Sequence, residues 1–320
     1  MMKVFISGNI APVALQQLEA NDVQITQWKE DRQITQEELI EACKSHDAFI
    51  SVGPNKINAE FLNGCNHLKV IALHSVGFDQ VDVDTAKKLQ IPIGNTPGVL
   101  SAATAETAFL LMIAVSRKAF FSYKKIIDGK WDKYEPAPEL GIEINGKTLG
   151  VFGLGKIGLE MAKKCKAAYN MKIIYHNRSQ NEEAEKEVGA KYVSFDDLLA
   201  ESDVLSVHTA LTDETKGMFS MKVFEKMKPN AIFVNTARGG IHNEKDLIKA
   251  LEDKLIWGAG LDVTNPEPMD RDNPLLYMEN VAVLPHIGSA TEETRTAMAQ
   301  LIAENILAGL KGEKIPYSIY

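Results

Sequence analysis

Cysteine is scarce in this chain of 320 residues, which contains only Cys43, Cys65 and Cys165. Three scattered cysteines do not make a disulfide framework, and their spacing matches no metal-binding motif. We therefore expect buried structural thiols in a reducing compartment and no metal site.

Long hydrophobic runs and blocks of basic residues are also absent. The most apolar stretch, residues 108–115, is too short to cross a bilayer. Residues 1–7 lack the hydrophobic region and the cleavage site of a signal peptide. The net charge of −8, without a cluster of Lys and Arg, disfavours nucleic acid or an anionic membrane as the main partner. These features predict a cytoplasmic protein that binds neither.

The composition is that of an ordinary globular protein, with 45% hydrophobic and 24% charged residues. The length predicts about two domains. In the first hundred residues, short apolar runs such as 48–50 and 68–73 alternate with helical patterns, as buried parallel strands do in an α/β fold. The run 101–118 predicts a helix that is apolar nearly all round, so we expect another domain or subunit to cover it.

A second α/β series starts at Thr148. Its predicted strands are residues 148–152, 171–175, 203–207, 231–235, 256–261 and 281–284. A last helix, at 291–310, can return to the first domain. The predicted fold class is α/β with two doubly wound parallel sheets. We expect a smaller, discontinuous, flavodoxin-like substrate domain at 1–99 and 288–320, and a Rossmann domain for NAD(P) at 100–287.

The most informative local motif is a glycine-rich segment between a strand pattern and a helix pattern. It reads Gly153-Leu154-Gly155-Lys156-Ile157-Gly158. Strand, Gly-x-Gly-x-x-Gly and helix together are the fingerprint of dinucleotide binding. The first glycine permits a tight turn, the second lets the backbone approach a pyrophosphate, and the third lets helix and strand pack closely. The alternative is an ordinary turn between a strand and a helix.

The cofactor's ribose is predicted to lie where the second strand of this series ends. An acidic residue at that point binds the 2′-OH of NAD, whereas an Arg accommodates the 2′-phosphate of NADP. Here the chain carries Asn177, Arg178 and Ser179, and no carboxylate. The segment therefore predicts a preference for NADP(H), with NAD(H) possible. The alternative is an exposed polar loop in which Arg178 is solvated.

Three reactive side chains, Arg238, Glu267 and His286, each follow a predicted strand. The carboxyl ends of parallel strands meet at the edge where α/β sheets bind ligands. A guanidinium can hold a carboxylate through two parallel hydrogen bonds. A histidine beside a carboxylate can protonate the alkoxide that hydride transfer produces. Each residue alone also has an ordinary interpretation, as a surface Arg, a Glu in a turn or a His at a strand end. The prediction of an active site therefore depends on the three occurring together.

Four segments, 153–158, 234–240, 259–268 and 284–291, resemble those of the D-isomer-specific 2-hydroxyacid dehydrogenases. The spacing of Thr-Ala-Arg-Gly, Gly-Leu-Asp-Val-x-x-x-Glu-Pro and Pro-His-Ile-Gly-Ser-Ala-Thr makes the resemblance specific. It extends over nearly the whole chain and looks closest to the glyoxylate/hydroxypyruvate reductase branch.

The resemblance implies roles for these residues. His286 is the general acid/base, Glu267 is its carboxylate partner, and Arg238 binds the 2-oxo acid and polarises its carbonyl. The implied substrate contacts are Val76, Gly77, Arg238, His286 and Ser289. Together with the strand-end segment, the expected cofactor contacts are Thr104, Gly153, Leu154, Gly155, Lys156, Ile157, Gly158, Asn177, Arg178, Ser179, Thr209, Thr236, Asp262, His286 and Gly288.

The resulting hypothesis is an NADPH-preferring reductase of small 2-oxo acids, chiefly glyoxylate and hydroxypyruvate. Glu267 replaces the Gln of the related formate dehydrogenases, which favours a hydroxyacid substrate. We also expect a two-fold homodimer built on the helix at 101–118, with Trp131 or Tyr134 reaching toward the partner's active site. The alternatives are a 2-ketogluconate reductase and an NAD(P)H-sensing binding protein like the corepressors of this fold.

Overall fold

A computed structural model describes the whole chain, residues 1–320. The chain divides into two compact units. The N-terminal unit comprises Met1–Leu100 and Ser289–Tyr320, and the central unit comprises Ser101–Gly288. Each contains one parallel sheet with its own helices, so the predicted α/β class with two parallel sheets is confirmed.

The sheet of the N-terminal unit has five parallel strands in the order β2-β1-β3-β4-β5, which is the flavodoxin-like order. The strands are β1 (Met2–Ile6), β2 (Val23–Gln27), β3 (Ala48–Ser51), β4 (Val70–Leu73) and β5 (Ile93–Gly94). The helices are α1 (Pro12–Glu19), α2 (Gln36–Cys43), α3 (Ala59–Gly64), α4 (Val83–Leu89) and, after the central unit, α12 (Glu292–Leu310).

Helix α12 belongs to the N-terminal unit because of how closely it packs there. Thr291 caps its start by accepting a hydrogen bond from the N–H of Thr294. The helix lies on α1, β3 and β4. A Cβ added at Gly309 would come within 2.4 Å of the Val70 side chain, so only glycine allows this approach.

The sheet of the central unit has seven parallel strands in the order β12-β11-β10-β9-β6-β7-β8. They are β6 (Thr148–Phe152), β7 (Lys172–His176), β8 (Lys191–Tyr192), β9 (Val204–Val207), β10 (Ile232–Asn235), β11 (Gly258–Leu261) and β12 (Val281–Val283). The helices are α5 (Ser101–Ser116), α6 (Ala119–Ile127), α7 (Lys156–Tyr169), α8 (Glu182–Val188), α9 (Phe195–Glu201), α10 (Met221–Phe224) and α11 (Glu244–Glu252). The strand order reverses between β6 and β9, which is where an open α/β sheet forms its ligand crevice.

The apolar character of α5 is explained by packing within the central unit. The helix lies on α7 and on β10, β11 and β12. Most of its residues are buried, and Leu110 is an exception at 48% exposed. A Cβ at Gly260 would meet the Cβ of Leu111 at 2.9 Å, so the small strand residue brings helix and sheet together. No second subunit is needed to account for this helix.

Helix α6 and strand β8 are among the elements that were not predicted from the sequence. Lys118 adopts a left-handed conformation, with φ of 51°, and separates α6 from α5. Residues 131–138, which are rich in aromatic residues and proline, have no regular structure. None of the helices combines the length and the apolar character that a bilayer-spanning segment needs.

Candidate active site

The three glycines of the loop between β6 and α7 meet three different spatial demands. Gly153 has φ of 99°, and a Cβ there would lie 2.8 Å from the carbonyl carbon of His208. A Cβ at Gly158 would lie 2.4 Å from the carbonyl oxygen of Gly153. At Gly155, the N-cap of α7, an added Cβ would have nothing within 4 Å, and no side chain caps the helix. Lys156 and Ile157 therefore open the helix beside free space, which suits a pyrophosphate.

The strand end that follows β7 is tied to this glycine loop. The Oδ1 atom of Asn177 accepts a hydrogen bond from the N–H of Leu154 at 2.6 Å. The Nδ2 atom of Asn181 donates to the carbonyl of Leu154 at 2.9 Å. Arg178 and Ser179 are exposed. The segment therefore presents a fixed amide and an exposed guanidinium, without a carboxylate of its own.

Two polar groups at the carboxyl edge of this sheet are buried without a partner. They are Oγ1 of Thr236, just after β10, and Nδ1 of His208, just after β9. The backbone N of Thr209 also lies against Gly153, 2.9 Å from where a Cβ would be. Unpaired buried polar atoms cost free energy unless a ligand or water completes them. Together with the open space at Gly155, they fit a bound dinucleotide.

Asp262 organises the segment after β12. Its two carboxylate oxygens accept the N–H groups of Ile287 and Gly288, each at 2.8 Å, and its carbonyl accepts the N–H of His286 at 2.9 Å. Burial raises the pKa of Asp262, and the two N–H groups act against that rise. A Cβ at Gly288 would meet Asp262 and Thr104, at 3.0 and 3.2 Å. Three residues expected at the cofactor, Thr104, Asp262 and Gly288, thus lie together.

His286 and Glu267 form a direct pair. The His286 Nδ1 atom lies 2.9 Å from Glu267 Oε2, and the other oxygen, Oε1, accepts the N–H of Thr264 at 2.9 Å. Burial raises the pKa of Glu267, but these bonds and the charge of Arg238 outweigh it, so the pKa lies below its ordinary value. When Nδ1 donates to this carboxylate, Nε2 is the nitrogen left to exchange a proton with a substrate.

The backbone of His286 is itself unusual. Its φ of 54° is left-handed, which is uncommon for a residue other than glycine. The bonds from its own N–H and from the N–H of Ile287 to Asp262 hold the backbone in this conformation. Unfavourable backbone geometry that surrounding contacts enforce is typical of functional sites.

Arg238 is positioned by a residue that the sequence analysis did not single out. Asn235 is fully buried at the end of β10, where its Oδ1 accepts the N–H of Ala237 and its Nδ2 donates to the carbonyl of Arg238, both at 2.9 Å. Next to Arg238, a Cβ at Gly239 would lie 1.9 Å from the carbonyl oxygen of Thr264. The turn carrying Arg238 is therefore packed against the turn carrying Glu267. The sequence signal for this role is an Asn at the end of a predicted strand, immediately before a turn.

Val76, Gly77 and Ser289 lie in the N-terminal unit. Val76 and Gly77 follow β4, and Ser289 precedes α12. Asn95 Nδ2 donates to the carbonyl of Val76 at 2.8 Å, and Ser75 Oγ donates to that of Gly77 at 2.7 Å. The carbonyls are thus occupied, while neither N–H has an acceptor in the chain.

A Rossmann strand order, an open glycine loop and a Glu–His pair with an Arg on the neighbouring turn define a nicotinamide-dependent dehydrogenase. Comparison with known proteins agrees. Residues 109–288 match the family "D-isomer specific 2-hydroxyacid dehydrogenase, NAD binding domain". The chain belongs to this family and is an oxidoreductase.

Relatives and solved structures align with nearly the whole chain. The glyoxylate reductase of Thermococcus litoralis is 42% identical over 318 residues, 98% of this chain and 95% of the relative. A glyoxylate reductase structure from Paecilomyes thermophila has a TM-score of 0.86 and 36% identity, and the alignment covers 99% of this chain and 98% of that structure. The NADPH-dependent glyoxylate/hydroxypyruvate reductase of Sinorhizobium meliloti, solved with NADP and malonate, has a TM-score of 0.87 and 28% identity. This alignment covers 99% of this chain and 96% of that structure.

Proposed function

We propose that the protein is an NADPH-preferring reductase that converts small 2-oxo acids, chiefly glyoxylate and hydroxypyruvate, into D-2-hydroxy acids. The observation that carries the proposal is the 2.9 Å contact between His286 Nδ1 and Glu267 Oε2. The activities of the T. litoralis and S. meliloti proteins support the choice of substrates.

The proposed chemistry needs charge stabilisation and one proton. The bound nicotinamide supplies the hydride that the substrate carbonyl carbon receives. Arg238 holds the carbonyl oxygen and stabilises the negative charge that grows on it. His286 then gives its Nε2 proton to that oxygen, and Glu267 keeps the protonated imidazole oriented until it does.

The preference for NADPH rests on the strand end after β7. Asn177 carries no negative charge to repel a 2′-phosphate, and Arg178 is exposed and able to turn toward one. The pKa of Glu214 is lowered, first by hydrogen bonds from the Thr212 side chain and the backbone, and to a smaller extent by the positive charge of Arg178. Arg178 therefore lies close enough to interact with this carboxylate. Glu214 is therefore the group that competes with a phosphate for Arg178.

We further propose that residues 1–99 together with 288–320 form the substrate-binding domain and that residues 100–287 form the domain that binds the cofactor. In this proposal the N–H groups of Val76 and Gly77, which have no acceptor in the chain, hold the substrate's carboxylate together with Ser289.

The proposed assembly is a homodimer. Helix α6 buries none of its residues, and Ile126 and Ile127 are 54% and 67% exposed. Trp131 and Tyr134, in the loop that follows, are 62% and 83% exposed. Large apolar side chains left exposed in one segment of the chain are typical of a protein–protein interface.

The function is tested by following NADPH oxidation with glyoxylate, hydroxypyruvate, pyruvate, 2-ketogluconate and formaldehyde, with NADH in parallel. We expect turnover of the two small 2-oxo acids and none of formaldehyde. A clear preference for 2-ketogluconate identifies the related sugar-acid reductase instead. Tight NADPH binding with turnover no faster than that of a His286→Ala variant indicates a nucleotide sensor.

A further inference from the structure

The N-terminal unit contains a guanidinium without a counter-ion. Arg295, in the first turns of α12, is partly buried, and its NH1 group lies 3.3 Å from His74 Nδ1. Burial lowers the pKa of Arg295, and no carboxylate acts against it. A partly buried cation without an anionic partner destabilises a folded protein. A ligand that brings a negative charge would remove this cost.

His74 does not supply that negative charge. It follows β4, and its backbone N–H donates to the carbonyl of Ser51 at 2.9 Å. Burial, and to a lesser degree the charge of Arg295, lower the pKa of His74 to about 4. The imidazole is therefore neutral at pH 7 and accepts from the guanidinium through Nδ1, while its buried Nε2 has no partner. His74 orients Arg295 without neutralising it.

In the loop Ser75–Gly77, the backbone carbonyls are occupied but two backbone N–H groups are not. The carbonyls of Ser75, Val76 and Gly77 accept from Thr96 N–H at 3.0 Å, from Asn95 Nδ2 at 2.8 Å and from the Ser75 hydroxyl at 2.7 Å. The N–H groups of Val76 and Gly77 have no acceptor. A loop with satisfied carbonyls and unsatisfied N–H groups, following a histidine that holds a guanidinium, is suited to an anion.

We infer that Arg295, oriented by His74 beside the loop Ser75–Gly77, is the cation of a carboxylate subsite in the N-terminal unit. The ligand is the carboxylate of the 2-oxo acid, so this inference rests on the proposed function. Arg295 is a substrate-binding residue and His74 is a positioning residue. The unpaired charge of Arg295 destabilises the free protein, and a bound carboxylate neutralises it.

The first test compares Arg295→Gln with Arg295→Lys. Loss of a charge-assisted contact should raise KM for glyoxylate about tenfold or more, with KM for NADPH unchanged. The Lys variant should recover part of this loss because it keeps the charge. The melting temperature of Arg295→Gln should be equal to or above that of the wild type, since an unpaired charge is removed. Arg32→Gln, at an exposed arginine of the same unit, is the control for substrate binding and should leave both KM values unchanged.

Two results overturn the inference. An unchanged KM in Arg295→Gln shows that the guanidinium does not meet the substrate. Failure of that variant to fold, or a melting temperature several degrees lower with KM unchanged, shows that Arg295 serves stability instead.

The second test uses oxalate as an unreactive carboxylate and the enzyme loaded with NADPH. Calorimetric titration should give a Kd for oxalate that rises about tenfold or more in Arg295→Gln and less in Arg295→Lys. If the wild type reduces no 2-oxo acid but binds oxalate in an Arg295-dependent way, the proposed function is wrong and the subsite stands. If it reduces glyoxylate but oxalate binds the variant equally well, the subsite is wrong and the function stands.

Discussion

His286 Nδ1 lies 2.9 Å from Glu267 Oε2, and the same carboxylate is fixed by the backbone N–H of Thr264. The pKa of Glu267 lies below its ordinary value, so the carboxylate keeps its charge throughout the neutral range. A charged carboxylate in this position stabilises the imidazolium that reduction requires. The pair therefore couples the pH dependence of catalysis to Glu267.

Replacing Glu267 by Gln should shift the pH dependence of reduction. The new amide would keep a hydrogen-bonding group but no charge, so the imidazolium would lose the anion that stabilises it. The descending limb of kcat/KM against pH should therefore move to lower pH in Glu267→Gln, while KM for NADPH stays constant. A profile that coincides with that of the wild type would show that the pair does not govern proton transfer.

Removal of the imidazole should affect the chemical step. We expect His286→Ala to lower kcat by roughly 10²–10⁴-fold, the usual contribution of a general acid. Binding of NADPH, measured by fluorescence titration, should change little. As a control, His67→Ala removes a histidine of the N-terminal unit whose ring bonds to the backbone carbonyls of Cys43 and His46. A comparable loss of kcat in both variants would count against a specific role for His286.

The choice of cofactor should respond to charge at the strand end after β7. In Asn177→Asp, the new carboxylate can accept the same hydrogen bond from Leu154 N–H, so the variant changes charge while keeping this tether. A carboxylate about 5 Å from the 2′-phosphate would cost about 3 kcal/mol at an effective dielectric of 20, less with solvent screening. Combined with Arg178→Ala, it should weaken or reverse the preference for NADPH in kcat/KM. A wild-type preference for NADH would contradict the proposal.

Acid should destabilise the central unit through buried histidines. Burial lowers the pKa of His242 from 6.5 to about 4, so between these values the unfolded chain takes up a proton that the folded chain does not. This contribution to stability is complete above pH 6.5 and is lost as the pH falls toward 4, by about 1.4 kcal/mol per pH unit at most. Asn235 Nδ2 lies 3.1 Å from His242 Nδ1, and His242→Asn keeps a hydrogen-bonding side chain at this position. In this variant the free energy of urea unfolding should depend less steeply on pH in that window. An unaltered slope would assign the acid sensitivity to other groups.

The dimer should depend on α6 and the loop after it. Ile127→Asp places a charge among exposed apolar side chains and should convert the homodimer to monomers in light scattering at micromolar concentration. Gln16→Asp adds the same charge on the exposed side of α1 and should leave the dimer intact. A wild type that is a fully active monomer would contradict the proposed assembly.

Much of the fold could be predicted because its signals are local. The capping box of Thr35 and Glu38, the cap at Thr291 and the apolar runs of β3 and β4 each depend on residues close in the chain. Helix α6 was missed for the same reason. No side chain caps its start, and it begins directly after the left-handed Lys118, so no local signal in the sequence separates it from α5.

The sequence by itself determined the fold class, the glycine loop and the identity of the reactive side chains, since each is encoded in a short pattern. Tertiary structure alone decided their geometry. The tether from Asn235 to Arg238, the contact of Gly239 with Thr264 and the left-handed backbone of His286 depend on parallel strands that bring distant segments side by side. Local propensities do not specify such contacts, because they arise only when the whole sheet has packed.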